Sequence, residues 1–130
     1  MQLKKCEMKT IQVDAEPDIV SARMHVRNLA RSLGFSTKDQ ARVSLATSSL
    51  AHFLDIGGKY KGEITFGCSN GNSGTSKDEI VMRVVCTVFC ANPKYQINKR
   101  GLSKVQWMVD DLDVESLPSD DVQVTLIKWK

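Results

Sequence analysis

The side chains of this 130-residue sequence that most readily do chemistry are four cysteines and two histidines. Cys6, Cys68, Cys86 and Cys90 form no CxxC pair. Cys86 and Cys90 stand four apart in an apolar run that reads as a strand, so both point to one face. A metal site would need two further ligands beside them, and only His25 and His52 are on offer. The cysteines therefore read as buried structural thiols, and no metal site is expected.

Other segments invite a chemical reading. Residues 70–78 (NGNSGTSKD) are rich in glycine and serine but lack the GxxxxGK[ST] spacing of a phosphate cradle, and they lie between two strands. A hairpin turn is the expectation. Arg23, Arg27 and Arg31 recur every fourth residue and make one basic row on a helix. Lys94, Lys99, Arg100 and Lys104 form a basic stretch, and Asp110, Asp111, Asp113, Glu115, Asp120 and Asp121 an acidic one. Both read as solvated surface, with a charge-complementary docking surface as the sharper alternative. Trp107 and Trp129 are expected in the core.

These residues need elements to position them. Glu7 to Asp14 reads as a first strand. Pro17 suits a first helical turn, and Ile19, Ala22, Val26, Leu29 and Leu33 make one apolar stripe, closed by Gly34. Ser36 with Asp39, or Thr37 with Gln40, can cap a second helix that runs to about Ile56, with Val43, Ala46, Leu50 and Phe53 on its stripe. Strands are expected over Tyr60 to Cys68 and Ile80 to Ala91. A third helix is expected from Lys99 or Gly101 to Leu112, followed by strands Val114 to Leu117 and Val122 to Trp129. This order implies one α+β domain over residues 1–130: a two-layer sandwich, its mixed sheet covered by helices on one face.

The net charge of +3 is small and its sign alternates along the chain. Nucleic acid is therefore not an expected partner. No apolar run is long enough to cross a bilayer, and the first ten residues lack a secretion core. A cytoplasmic protein is expected.

The stretches Leu33-Gly34-Phe35, Asp39 to Val43, Ala46 to Ala51, Gly101 to Asp111 and Val124 to Trp129 carry a likeness to a family. Over nearly its whole length the chain resembles the GHKL (histidine-kinase-like) ATPase fold, and within it the anti-sigma-factor serine kinases of bacterial partner switching. The resemblance implies four functional parts. A helix with S-E-L-x-R-N supplies a Glu that activates the attacking group and an Asn that binds Mg²⁺. An Asp in D-x-G-x-G holds adenine, and a Gly-rich lid holds the phosphates.

Laid on this sequence, the Glu position falls at Ser49 and the Asn position at Phe53. His52 stands where family members often carry Arg, and a half-exposed helical histidine is expected there. No Asp or Glu occurs between Glu79 and Asp110, and the lid reads as shortened or absent, since no glycine lies between Gly74 and Gly101. Ser49 and Phe53 are thus vestigial nucleotide-site positions, with Phe53 expected to plug the emptied pocket. The reading is a non-catalytic regulatory domain with no catalytic residue and no cofactor. The alternative is an unusual serine/threonine kinase that binds ATP and Mg²⁺. The resemblance implies a protein partner: a STAS-type antagonist, a sigma factor, a phosphatase domain, or a second copy in a homodimer. Arg23, Arg27 and Arg31 are the candidate partner surface.

Overall fold

The computed structural model describes residues 7–72, 80–93, 97 and 99–130. Strand β1 (Lys9–Val13) leads into helices α1 (Glu16–Ser32) and α2 (Thr37–Leu54). Strands β2 (Gly62–Asn72) and β3 (Ile80–Cys90) follow, then a 3₁₀ turn (Lys99–Leu102), helix α3 (Ser103–Met108), and strands β4 (Asp111–Ser116) and β5 (Val122–Trp129). Cys6, Lys94 and the 73–79 part of the expected turn lie outside the described residues, as does much of the stretch between β3 and the 3₁₀ turn.

The local signals in the sequence are realised at the helix ends. Pro17 sits in the first turn of α1. Asp18 Oδ2 accepts the backbone N–H groups of Asp14 (2.9 Å) and Ala15 (3.1 Å), which satisfies donors that the helix cannot. Gly34, at φ +82°, turns the chain out of α1 in the left-handed region that glycine enters without a Cβ clash. Of the two capping alternatives, Ser36 is the one used: its Oγ accepts from Asp39 N at 3.1 Å. Asp55 then ends α2 at φ 57°.

The sheet runs β1-β2-β3-β5-β4, and each of its four pairings is antiparallel. The expected mixed sheet is thereby corrected. The short hairpin connection between β4 and β5 permits only an antiparallel return, and although α1 and α2 lie between β1 and β2 in the chain, those strands also pair antiparallel. One face of the sheet is covered by helices. Its core comprises Ile64 and Phe66 of β2, Val84, Cys86 and Val88 of β3, and Val124 and Leu126 of β5. These close against Ile19, Ala22 and Val26 of α1 and Val43, Ala46, Leu50 and Leu54 of α2. The result is an α+β two-layer sandwich. On the uncovered face the register aligns Thr10, Thr65, Thr87 and Thr125 in one row across four strands. Their hydroxyls pair at 2.9 Å (Thr10 with Thr65) and 3.1 Å (Thr87 with Thr125).

Three expectations about the C-terminal third change. The third helix stops at Met108 rather than Leu112. Asp111 and Leu112 are instead in β4, paired with Ile127 and Leu126, and extended ladder geometry excludes a helix there. Trp107 is 86 % exposed rather than in the core, because α3 is short and its inward positions go to Val105 and its neighbour Leu102. Trp129 is half-buried, since the alternation of β5 sends Leu126 and Lys128 to the covered face and Trp129 to the open one.

Candidate functional site

The two positions matched to family chemistry lie on the C-terminal half of α2. That helix buries Val43, Ala46, Thr47, Leu50, Ala51 and Leu54, one continuous stripe at helical spacing. Ser49 falls at the edge of the stripe and is half-buried. Phe53 lies one turn further on and is 38 % exposed. The expected core-filling role of Phe53 is therefore corrected: the ring is covered on one side and wet on the other. What covers it is the 3₁₀ turn. A Cβ added to Gly101 would lie 2.5 Å from both Cε2 and Cζ of Phe53, so the ring rests on glycine backbone. Leu102, fully buried beside it, anchors that turn to the core.

His52 is half-exposed, as expected, and its Nε2 lies 2.7 Å from Glu16 Oε1 and 3.0 Å from Oε2. The contact ties the end of α2 to the start of α1. At the sheet end of this region β3 presents Val84, Cys86, Val88 and Cys90 to the helices, all buried. Burial pushes the Cys86 thiol up to about 11, an effect that outweighs the hydrogen bond from Thr47 Oγ1 at 3.4 Å. Cys86 and Cys90 are free buried thiols, while Cys68 is disulfide-bonded. Among the described residues no three His, Cys, Asp or Glu side chains gather in a way that could hold a metal ion. No helix among them is long and apolar enough to cross a membrane.

The sequence reading missed a part-buried ion-pair network. Lys128 is only 8 % exposed on the helix-facing side of β5. Its Nζ donates to Asp110 Oδ2 at 3.0 Å and lies 3.6 Å from Asp39 Oδ1. Asp110 Oδ2 also accepts the backbone N–H of Trp129 at 2.7 Å. One lysine thus joins the first turn of α2, the exit of α3 and the last strand. Asp110 is taken out of the acidic surface stretch, whereas Asp111, Asp113 and Glu115 stay exposed on β4. The alternation Val122, Val124, Leu126, Lys128 was a readable signal for its burial.

Of the candidate partner surface, Arg27 and Arg31 are exposed and Arg23 is half-buried. Arg23 and Arg27 line a groove of about 320 Å³ together with Met24, Ala41, Ser44 and Leu45. Met24 is 58 % and Leu45 48 % exposed. Both lie off the apolar stripes of their helices, which is the signal that could have marked them.

No protein-family model matches the chain. It is similar to the serine/threonine-protein kinase RsbT of Bacillus subtilis (strain 168), with 28 % identity over 132 residues. The match spans 95 % of this chain and 97 % of RsbT, so the likeness extends over the length of both proteins.

Proposed function

We propose that this chain is a non-catalytic regulatory domain that keeps a serine-kinase-like ATPase scaffold and acts by binding a protein in the bacterial cytoplasm. The observation that carries the reading is Phe53. On the family pattern its position belongs to a Mg²⁺-binding Asn, yet it holds a ring seated on Gly101. An aromatic ring offers a hard cation no oxygen. One turn earlier Ser49 has no carboxylate with which to activate an attacking hydroxyl. From Ile80 to Val109 the sequence holds no Asp or Glu to accept from an adenine amino group.

Each such loss costs about 1–3 kcal/mol of ligand affinity, and each ~1.4 kcal/mol is tenfold. Several together put MgATP beyond millimolar occupancy. Partner switching is the process that the resemblance and the likeness to RsbT suggest. Within it a STAS-type antagonist, a sigma factor, a phosphatase domain or a second copy would be the partner.

The competing reading is a working serine/threonine kinase, favoured by the end-to-end match to a protein that carries that name. Calorimetric titration with MgATP to several times 1 mM decides between them. No heat of binding and no gain in Tm is the expected result. A dissociation constant below about 100 μM, roughly −5.5 kcal/mol, overturns the non-catalytic reading.

A further inference from the structure

We infer that the groove between α1 and α2 is a docking site for an acidic amphipathic helix of another protein. The inference rests on the protein-binding reading above and gives it a surface and a partner chemistry. The groove has an apolar centre in Met24 and Leu45, each about half exposed or more, with Arg23 and Arg27 beside them. Arg31 stands one turn beyond Arg27, and Arg42 follows the groove residue Ala41.

The charges of this helical hairpin are divided in one direction. Each of its carboxylates is already engaged. Glu16 meets His52, Asp18 holds the backbone N–H groups of Asp14 and Ala15, and Asp39 faces Lys128. Among the described residues the side chains of Arg23, Arg27, Arg31 and Arg42 make no hydrogen bond or ion pair. The hairpin thus offers two uncommitted guanidinium groups, Arg23 and Arg27, beside exposed aliphatic carbon, with Arg31 and Arg42 further along its two helices, which complements a segment that is apolar along one stripe and acidic beside it.

The walls decide the occupant's conformation. Both are helices, whose backbone groups are used internally, so an extended peptide would find no ladder partners. An occupant must satisfy its own backbone, and a helix does this while presenting anchors at i, i+3, i+4 and i+7. Nucleic acid fits less well, because its bases need aromatic platforms and the groove has none. Among the described residues the exposed carboxylates outside the hairpin lie on strand β4 (Asp111, Asp113 and Glu115) or in loops. A second copy therefore lacks the helical acidic stripe.

The test uses a fluorescein-labelled synthetic helix with leucines at i, i+3, i+4 and i+7 flanked by glutamates, and a twin with lysines in their place. Anisotropy titration should give saturable binding of the glutamate helix that weakens as salt is raised. The R23E/R27E double variant and L45D should each weaken it at least about tenfold, and the lysine twin should bind at least about tenfold more weakly. Amide shifts on binding should centre on residues 23–27 and 41–45. All three substitutions are at surface positions, and an unchanged Tm will establish that the variants are folded.

Several results overturn the inference. They are no binding at 1 mM peptide, equal binding of the lysine twin, undiminished binding by either variant, or shifts centred elsewhere. Displacement of the peptide by a polyuridine oligonucleotide overturns it in favour of nucleic acid. A dimer by light scattering that R23E/R27E dissociates overturns it in favour of self-association. The MgATP titration on the same samples separates the two readings. Nucleotide binding would sink the non-catalytic reading and leave the groove standing. Peptide failure without nucleotide binding removes the groove alone.

Discussion

Phe53 and Gly101 should be energetically coupled, and a double-mutant cycle measures the coupling. Phe53 is 38 % exposed. With about 200 Å² for a Phe side chain, truncation to Ala uncovers roughly 120 Å² of apolar surface. At about 25 cal/mol per Å² this is about 3 kcal/mol, or about 2–3 after allowing for the remaining methyl and a compact unfolded chain. Gly101→Ala places a methyl 2.5 Å from two ring carbons, inside contact distance. The ring has open solvent on its other side and can swing away. The cost is therefore bounded by the loss of its own covered area. Ala also stiffens the unfolded chain, which returns about 0.4–1 kcal/mol, so a net cost of about 1–2 kcal/mol is expected. In the Phe53→Ala background the new methyl enters vacated space, and Gly101→Ala should be neutral or stabilising. The coupling energy should then be at least about 1 kcal/mol. Urea denaturation followed by circular dichroism on the four proteins gives the number. Additivity within about 0.5 kcal/mol would refute the contact between ring and turn.

Two further outcomes follow from buried groups. Lys128→Met removes the charge and keeps the stem; Asp39 and Asp110 are both partly open to water, so the change should stay within about 1 kcal/mol, while Asp110→Ala strands the ammonium with its 3.6 Å partner and should cost about 2–4 kcal/mol. Equal urea midpoints for the two variants would contradict this. Burial raises the Cys86 thiol from 9.0 to about 11. Between those values the unfolded chain releases a proton that the folded chain retains, so stability falls as pH rises, by about 2–3 kcal/mol at the top of the window. Cys86→Val should lack this component, and identical pH dependence of the two proteins between pH about 8 and about 10.5 would count against it.

Local periodicity determined much of this protein. The spacing of Ile19, Ala22 and Val26 and of Val43, Ala46 and Leu50 specified both long helices and their inner faces. The alternation of Val122, Val124 and Leu126 specified β5. Glycine and serine chemistry placed the joint at Gly34 and Ser36. The residue types at Ser49 and Phe53 were legible too, because a helical turn fixes their relation wherever the helix lies.

Tertiary structure alone decided what each of these faces meets. That Phe53 rests on Gly101, that Lys128 is enclosed by Asp39 and Asp110, and that Met24 and Leu45 share a groove with two arginines are contacts between elements distant in sequence. The four-threonine row depends on strand register, which is a long-range pairing. Trp107 gives the same lesson in reverse. An aromatic residue is expected inside, but burial requires an element to cover it, and none of the described residues does. Periods of 3.6 and 2 residues tell which side chains share a face; only the packing of one element on another tells whether that face is core, ion pair or open surface.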